Sequence, residues 1–451
     1  MQLQKLTTFW KKLTSGSINR KIFGAAVTVA GLTIAVKLVA TVKELVVAWR
    51  FGTGDTLDAF LIAFVVPTFI INVVAGSFDS ALIPTYIQVR EQEGNLAAQR
   101  FFSGATMWGF ILLGITTIIT ALCAPLYLPL IASGFSPEKL NLTYRLLYAI
   151  APFIFLSGVI TTWGAVLYAG ERFALAAFSP IITPTITIIF LLVAESWGSF
   201  ALAAGLVGGA ALEILLLGAA LRRQGISLRP RWYKIDAHLR QVASQYAPAM
   251  VGAFLMCSSN IVDQSMAAML APGSVAALNY GNRVIALPIT LITTALSTAV
   301  TPYFSKMVAC DDWAGVRNTF KRYMLLVFAF TVPLTGLLLV FSQLIVQILF
   351  QRGSFTNQDT QLVAQIQNCF AFQIPFYTGC ILMVRLILSM KLNYILMWVS
   401  GFNLLTNIVL NYFFLHWIGI KGIALSTSCV YLFSFLFLLF FVRNKIAIFF
   451  E

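Results

Sequence analysis

Residues 284–305 read VIALPITLITTALSTAVTPYFS, twenty-two positions without a charge between Arg283 and Lys306. As an α-helix such a run crosses the roughly 30 Å hydrocarbon core of a bilayer. Comparable stretches recur along the 451 residues, at 22–49, 57–86, 103–131, 141–169, 174–194, 199–221, 246–271, 275–305, 322–350, 361–389, 394–416 and 420–442. The pattern predicts an all-α polytopic membrane protein of about twelve spans. Composition agrees, at 59% hydrophobic and 10% charged with a mean hydropathy of +0.87, whereas soluble domains carry about 25% charged residues. The stretches also far exceed the roughly 10-residue alternating strands of an outer-membrane barrel.

The net charge of +14 would suggest nucleic acid in a soluble protein. Here its placement explains it. Counted with the N-terminus inside, the alternating loops hold 21 Lys and Arg on one side and four on the other. That asymmetry predicts both termini in the cytoplasm, and nucleic acid is not needed as a partner. The basic segment 1–21 (Lys5, Lys11, Lys12, Arg20, Lys21) precedes an apolar run without an A-x-A-like cleavage site, so it reads as the lead-in to a retained first helix. The six cysteines form no CxxC pair, and His238 and His416 are about 180 residues apart, so neither a metal nor a cofactor is expected.

The longest loop, 222–245, divides the chain into 22–221 and 246–442, six spans each, with a tail at 443–451. The halves echo one another. Ser80-Ala81-Leu82-Ile83-Pro84-Thr85-Tyr86 resembles Thr298-Ala299-Val300-Thr301-Pro302-Tyr303-Phe304, and eighteen residues after each proline stand Phe102 and Phe320. Pro67 pairs with Pro288, and Ala151-Pro152-Phe153 with Ile374-Pro375-Phe376. Because six is even, duplicated lobes share one orientation, and two parallel six-helix lobes around a central cavity are expected.

Charges inside spans are costly and usually mark a substrate or ion path. Only fifteen apolar residues precede Lys37 in the first span, too few to cross, so Lys37 is drawn into the hydrocarbon. Lys43 and Glu44 follow; Lys37 and Glu44, seven apart, share a helix face, and against a pair between them or snorkelling to the interface the reading favoured for Lys37 is a place on a substrate or ion path. Arg283 opens the eighth span, Asp58 and Asp79 bracket the second, and Asp263 lies in the polar patch Ser258-Ser259-Asn260-Ile261-Val262-Asp263-Gln264 of the seventh. Lys37, Lys43 and Arg283, from both lobes, would suit an anionic substrate such as a diphosphate.

The run Lys37-x5-Lys43-Glu44, Phe51-Gly52-Thr53-Gly54, Leu57-Asp58-Ala59-Phe60, Ala63, Pro67 and Ser77-Phe78-x2-Ala81-x2-Pro84 resembles the MurJ/MviN family, the lipid II flippases of the multidrug/oligosaccharidyl-lipid/polysaccharide exporter superfamily. Ala271-Pro272-Gly273-Ser274-Val275 with Tyr280-Gly281-Asn282-Arg283, and Leu349-Phe350-Gln351-Arg352-Gly353-Ser354-Phe355-Thr356, resemble two further pieces of that family. The resemblance implies movement of an undecaprenyl-diphosphate-linked peptidoglycan precursor from the inner to the outer leaflet of the bacterial inner membrane by alternating access. It places the cavity groups on Lys37, Lys43, Glu44 and Arg283 and the family's second-helix aspartate on Asp58; Asp58 and, from its polar patch, Asp263 are the gate or ion-coupling candidates. The chain departs from it where Lys stands for Arg in the first span, where Ile71-Asn72 replaces a basic pair, where the acid before Gly76-Ser77-Phe78 is missing, and in lacking two further helices after the twelfth.

The expected partners are thus a polyprenyl-diphosphate-linked saccharide and membrane lipids. A flippase for another lipid-linked oligosaccharide is the alternative, and a drug/cation antiporter of the superfamily would favour an acidic cavity instead. An enzyme would need a catalytic loop outside the bilayer, and no outer loop exceeds about a dozen residues. Without a G-x-x-x-x-G-K-[ST] motif or a loop long enough for an ATPase, no ATPase subunit is expected, and gradients or product removal would drive transport.

Overall fold

In a hydrocarbon solvent each backbone N–H and C=O needs a partner within the chain, and helices supply one locally. The computed structural model describes residues 18–170, 173–225 and 236–448, and among these it contains helices and no strand. In order they are α1 Ile18–Phe51, α2 Asp55–Ile70, a π turn Ile71–Ala75, α3 Gly76–Glu93, α4 Asn95–Leu122, α5 Ala124–Ile131, α6 Pro137–Ala169, α7 Phe173–Phe178 and α8 Ile182–Val193. There follow α9 Phe200–Arg223, α10 Ala237–Ala268, α11 Ser274–Ala309, α12 Trp313–Val340, α13 Ser342–Phe350, α14 Asn357–Ala371, α15 Gln373–Ser389, α16 Asn393–Ile418 and α17 Ile420–Ile448. Residues 1–17 of the basic N-terminal stretch and 226–235 of the linker 222–245 lie outside the described residues.

Ten helical segments among the described residues are long and apolar enough to cross a membrane. The expected spans 22–49 and 246–271 fall on α1 and α10, of 34 and 32 residues, which carry the intramembrane polar groups. The protein is an all-α polytopic membrane protein. Its outward face is apolar, with Leu122, Leu215, Leu325, Trp398 and Phe440 all well exposed, as a lipid-facing surface requires.

Two expected spans are each divided. Segment 103–131 breaks at Cys123, since Pro125 has no N–H to continue α4 and fits instead in the first turn of α5. Segment 322–350 breaks at Phe341. The two breaks correspond: α4 and α12 are both 28 residues long, each followed by a short helix of 8 or 9. Phe102 and Phe320 are each the eighth residue of their helix, and both are buried. The internal echo thus extends from residue identity to helix length.

The chain packs as two compact units. One comprises Met1–Val47, Val66–Pro125 and Thr143–Ala253, and its core holds Phe78, Leu82, Tyr86, Phe102, Trp163 and Leu217. The other comprises Ala48–Val65, Leu126–Leu142 and Phe254–Glu451, with a core of Phe304, Val316, Met383, Leu386, Phe435 and Leu438. Segments 48–65 and 126–142, which belong to the first half in sequence, thus pack with the second unit.

Within that second unit, the turn after α1 is sewn to the loop before α14. Ser354 donates its N–H to the Trp49 carbonyl at 2.9 Å and its hydroxyl to the Arg50 carbonyl at 3.0 Å. Thr53 donates to Asp359, whose other carboxylate oxygen closes a capping box with Thr356 at the start of α14. Gly52 (φ 53°) lies against the Ser354 carbonyl and Gly273 (φ 85°) against that of Thr53. Both have the left-handed backbone, and a β-carbon at either would collide with its neighbour's backbone. We predict that Gly273→Ala lowers stability by at least about 1–2 kcal/mol, the cost of a left-handed non-glycine residue alone. Thermal unfolding of the detergent-purified protein checks this, and an unchanged midpoint would contradict the tight approach.

Candidate functional site

Three of the residues expected in the cavity, Lys37, Lys43 and Glu44, belong to the first unit; Arg283, Asp58 and Asp263 belong to the second. On α1, Lys37 is exposed and its carbonyl accepts from Thr41. The alternative, a Lys37–Glu44 pair, does not form. Glu44 bridges instead to its neighbour Lys43, Nζ to Oε1 at 2.8 Å, with both side chains only about a fifth exposed. Seven residues separate Lys37 and Glu44 by about 10 Å along the helix axis, more than a salt bridge spans. Lys43 is thereby matched by an acid, and Lys37 has no ion pair among the described residues. On α11, Arg283 is exposed one turn beyond Asn279.

Asp58 is built into the second unit. Its carboxylate is 1% exposed and accepts N–H bonds from Gly273 at 2.7 Å and Ala276 at 2.8 Å. Those donors are orphan amides at the N-terminus of α11, where the helix dipole also favours an anion. Lys139 closes the charge balance, 2.9 Å from Asp58 and 2.5 Å from Asp55, with its Nζ 4.1 Å from the centre of the Phe135 ring. In the sequence Lys139 counts only as a cation between spans. The Asp55/Asp58 spacing of three, which puts both acids on one face at the start of α2, was the available clue that a cation faces them.

Asp263 lines a cavity of about 510 Å³ inside the second unit, together with Asn260, Gln264, Asn279, Asn407 and Thr427. Its Oδ1 accepts from Asn407 at 3.1 Å and Asn411 at 2.6 Å, and Gln264 accepts from Asn279 at 2.9 Å. Asn407 and Asn411 were missed in the sequence, although two amides four apart in an apolar run share a helix face. Turned over, the two amides would present oxygens beside the carboxylate, the donor type a hard cation uses. No group of three or more His, Cys, Asp or Glu suited to a metal occurs among the described residues.

The profile of the family described as "Lipid II flippase MurJ" matches residues 47–451. The chain belongs to the MurJ family of lipid II flippases. A probable lipid II flippase MurJ of Synechocystis sp. is 28% identical, over 96% of this chain and 84% of the relative. One of Rickettsia prowazekii is 24% identical, over 90% and 81%. Among solved structures, a lipid II flippase MurJ in an inward closed conformation superposes with a TM-score of 0.80 at 23% identity, covering 92% of this chain and 87% of that one. An inward-facing MATE multidrug transporter of the MOP superfamily superposes at 0.81 with 13% identity, covering 93% and 98%. The MurJ fold is thus shared by transporters of different cargo, and the family match distinguishes this chain among them.

Within this family member, Asp58→Ala removes one charge and leaves two buried N–H groups without their acceptor. We predict a loss of about 3–5 kcal/mol, the usual cost of halving a buried ion pair. Asp55→Ala, at a half-exposed position, should cost no more than about 1 kcal/mol. Unfolding of the two variants side by side checks the ranking; equal losses would mean that Asp58 is not the anchor.

Proposed function

We propose that this protein carries lipid II from the inner to the outer leaflet by alternating access between two six-helix lobes, 22–221 and 246–442, joined by the basic linker 222–245. It would sit in the bacterial inner membrane with both termini in the cytoplasm. Its partners in this reading are the polyprenyl-diphosphate-linked saccharide and membrane lipids, with no nucleic acid and no ATPase subunit. The observation that carries the reading is Lys37, an exposed cation in a membrane helix whose nearest acid on α1, Glu44, is engaged by Lys43. An unmatched cation at that depth needs an anion, and the diphosphate of a lipid-linked sugar is one.

Arg283 would meet the same headgroup from the second lobe, with Lys43 and Glu44 as a tethered pair beside Lys37. Asp58 would act as a gate residue, since freeing the N-terminus of α11 means giving up its two N–H bonds and Lys139. Asp263 would be the ion-coupling carboxylate, with Asn407 and Asn411 as its partners. A flippase for another lipid-linked oligosaccharide is the second reading. It is favoured by Ile71-Asn72, which occupies the π turn where the family resemblance implies a basic pair.

Lys37→Ala and Arg283→Ala should each impair transport with folding intact, because an exposed cation makes few packing contacts. Losing one charge-assisted bond weakens headgroup binding about 10- to 100-fold. Lys37→Arg should keep activity. Rescue of a strain depleted of its lipid II flippase measures this; full rescue by both alanine variants would remove the proposed site.

A further inference from the structure

The core of the first unit contains a polar group that the cavity residues do not account for. Asp79, on α3, is 6% exposed, and neither of its carboxylate oxygens has a hydrogen-bond partner. Thr162 of α6 lies beside it. That hydroxyl, however, donates to the Gly158 carbonyl at 2.9 Å. Five other buried polar atoms without a hydrogen-bond partner belong to the helices packed in this core: Ser77 Oγ, Thr106 Oγ1, Trp163 Nε1, Glu213 Oε1 and the Tyr246 hydroxyl. The ring of Tyr246 meets Phe78, the residue next to Asp79, edge-on at 6.2 Å.

The charges around Asp79 narrow what it can bind. From α10 the titratable groups facing this core are the Tyr246 hydroxyl and His238, whose ring meets Phe101 edge-on at 6.1 Å and which contacts Glu93 at 2.8 Å; from α3 itself it is Tyr86. Among the described residues no salt bridge reaches the carboxyl, and the unit's other buried acid is Glu213 of α9. Its Oε2 accepts from Thr183 at 3.0 Å, while its Oε1 has no hydrogen-bond partner. A metal ion would require several oxygen ligands gathered on one point, and no group of three or more His, Cys, Asp or Glu suited to one occurs among the described residues. A buried carboxyl with neither a cation nor a full set of donors is accommodated as the neutral acid.

The backbone near Asp79 is irregular on both sides. The π turn Ile71–Ala75 ends four residues before it, with the Gly76 N–H reaching back to the Ile71 carbonyl. Pro84 stands five residues after it inside α3, and it supplies no N–H to the Ser80 carbonyl. A π turn and a proline are the two common places where a membrane helix bends. Asp79 thus occupies the helical segment between two flexing points, where a small change of bend would bring water to the carboxyl.

We propose that Asp79 is a proton-binding site of the transport cycle: the carboxyl takes up a proton on one side of the membrane, is carried buried and neutral between the π turn and Pro84, and releases it when the helix bends. The O–H bond forms and breaks at one Asp79 oxygen, with water as donor and acceptor, so one proton crosses per cycle. This rests on the transport reading above and adds to it a coupled proton, bound in the first unit at a site separate from Asp263.

The test uses the full-length chain in proteoliposomes, with two readouts. Infrared difference spectroscopy should show a protonated carboxyl band that is lost in Asp79→Asn and shifted in Thr162→Val. An imposed proton gradient should accelerate flipping of fluorescent lipid II by the wild type, a response lost in Asp79→Asn, while a sodium gradient should not substitute. Persistence of the band in Asp79→Asn, with no shift in Thr162→Val, would overturn the proposal. So would a gradient response retained by Asp79→Asn, or sodium dependence that vanishes with Asp79. If the wild type flips no lipid II under any gradient, the transport reading fails by itself, and the infrared band still decides whether Asp79 binds the proton. Should Asp79→Asn fail to fold, the shift in Thr162→Val carries the assignment.

Discussion

Hydrocarbon offers a protein no hydrogen bonds, and the organisation of this chain follows from that. Backbone groups are satisfied locally, so the described residues form helices. Polar side chains must then be satisfied by one another, by backbone amides, by solvent-filled space or by cargo. Asp58 shows the most complete solution, with two amides at the N-terminus of α11 and the Lys139 ammonium on one carboxylate. Lys37 has no ion pair among the described residues. The contrast sets a charge that the fold pairs against one that it does not.

The same solvent makes the outside uninformative and the inside informative. Exposed leucines and phenylalanines on α12 and α17 are at home in lipid and ask for no partner. The polar groups turned inward are few, and they are distributed unevenly. In the second unit they are amides and hydroxyls joined in pairs, such as Asn279 with Gln264 and Ser434 with Asn403 at 2.5 Å. In the first unit the buried groups include Asp79, Ser77 and Thr106 without hydrogen-bond partners. Each unit combines side-chain hydrogen bonds, Thr183 to Glu213 in the first among them, with buried polar atoms without a hydrogen-bond partner, Gln367 Oε1 and Asn368 Oδ1 in the second among them.

The spans were legible because apolar run length decides them, and the corresponding registers of Phe102 and Phe320 could be read from their spacing to Pro84 and Pro302. Helix breaks were less legible: Pro125 marks one, but nothing in the residues around Phe341 singles out the other. Among site residues, Lys37 and Asp263 stood out because charge in an apolar run is visible by itself. The partners did not, because Lys139 meets Asp58 across 81 residues and Asn411 meets Asp263 across 148. The Lys43–Glu44 bridge was hidden for the opposite reason, since helix-face arguments favour residues three, four or seven apart over immediate neighbours, whose long side chains can still meet.

The account stands on the chain's own ability to move a diphosphate-linked lipid between leaflets. The most direct measurement reconstitutes the unmodified protein in vesicles carrying fluorescent lipid II and follows the fraction reachable by a membrane-impermeant quencher. Transport predicts that lipid initially confined to one leaflet becomes accessible from the other far faster than in protein-free vesicles, without ATP. Exchange at the protein-free rate, with the protein folded and inserted, would contradict it.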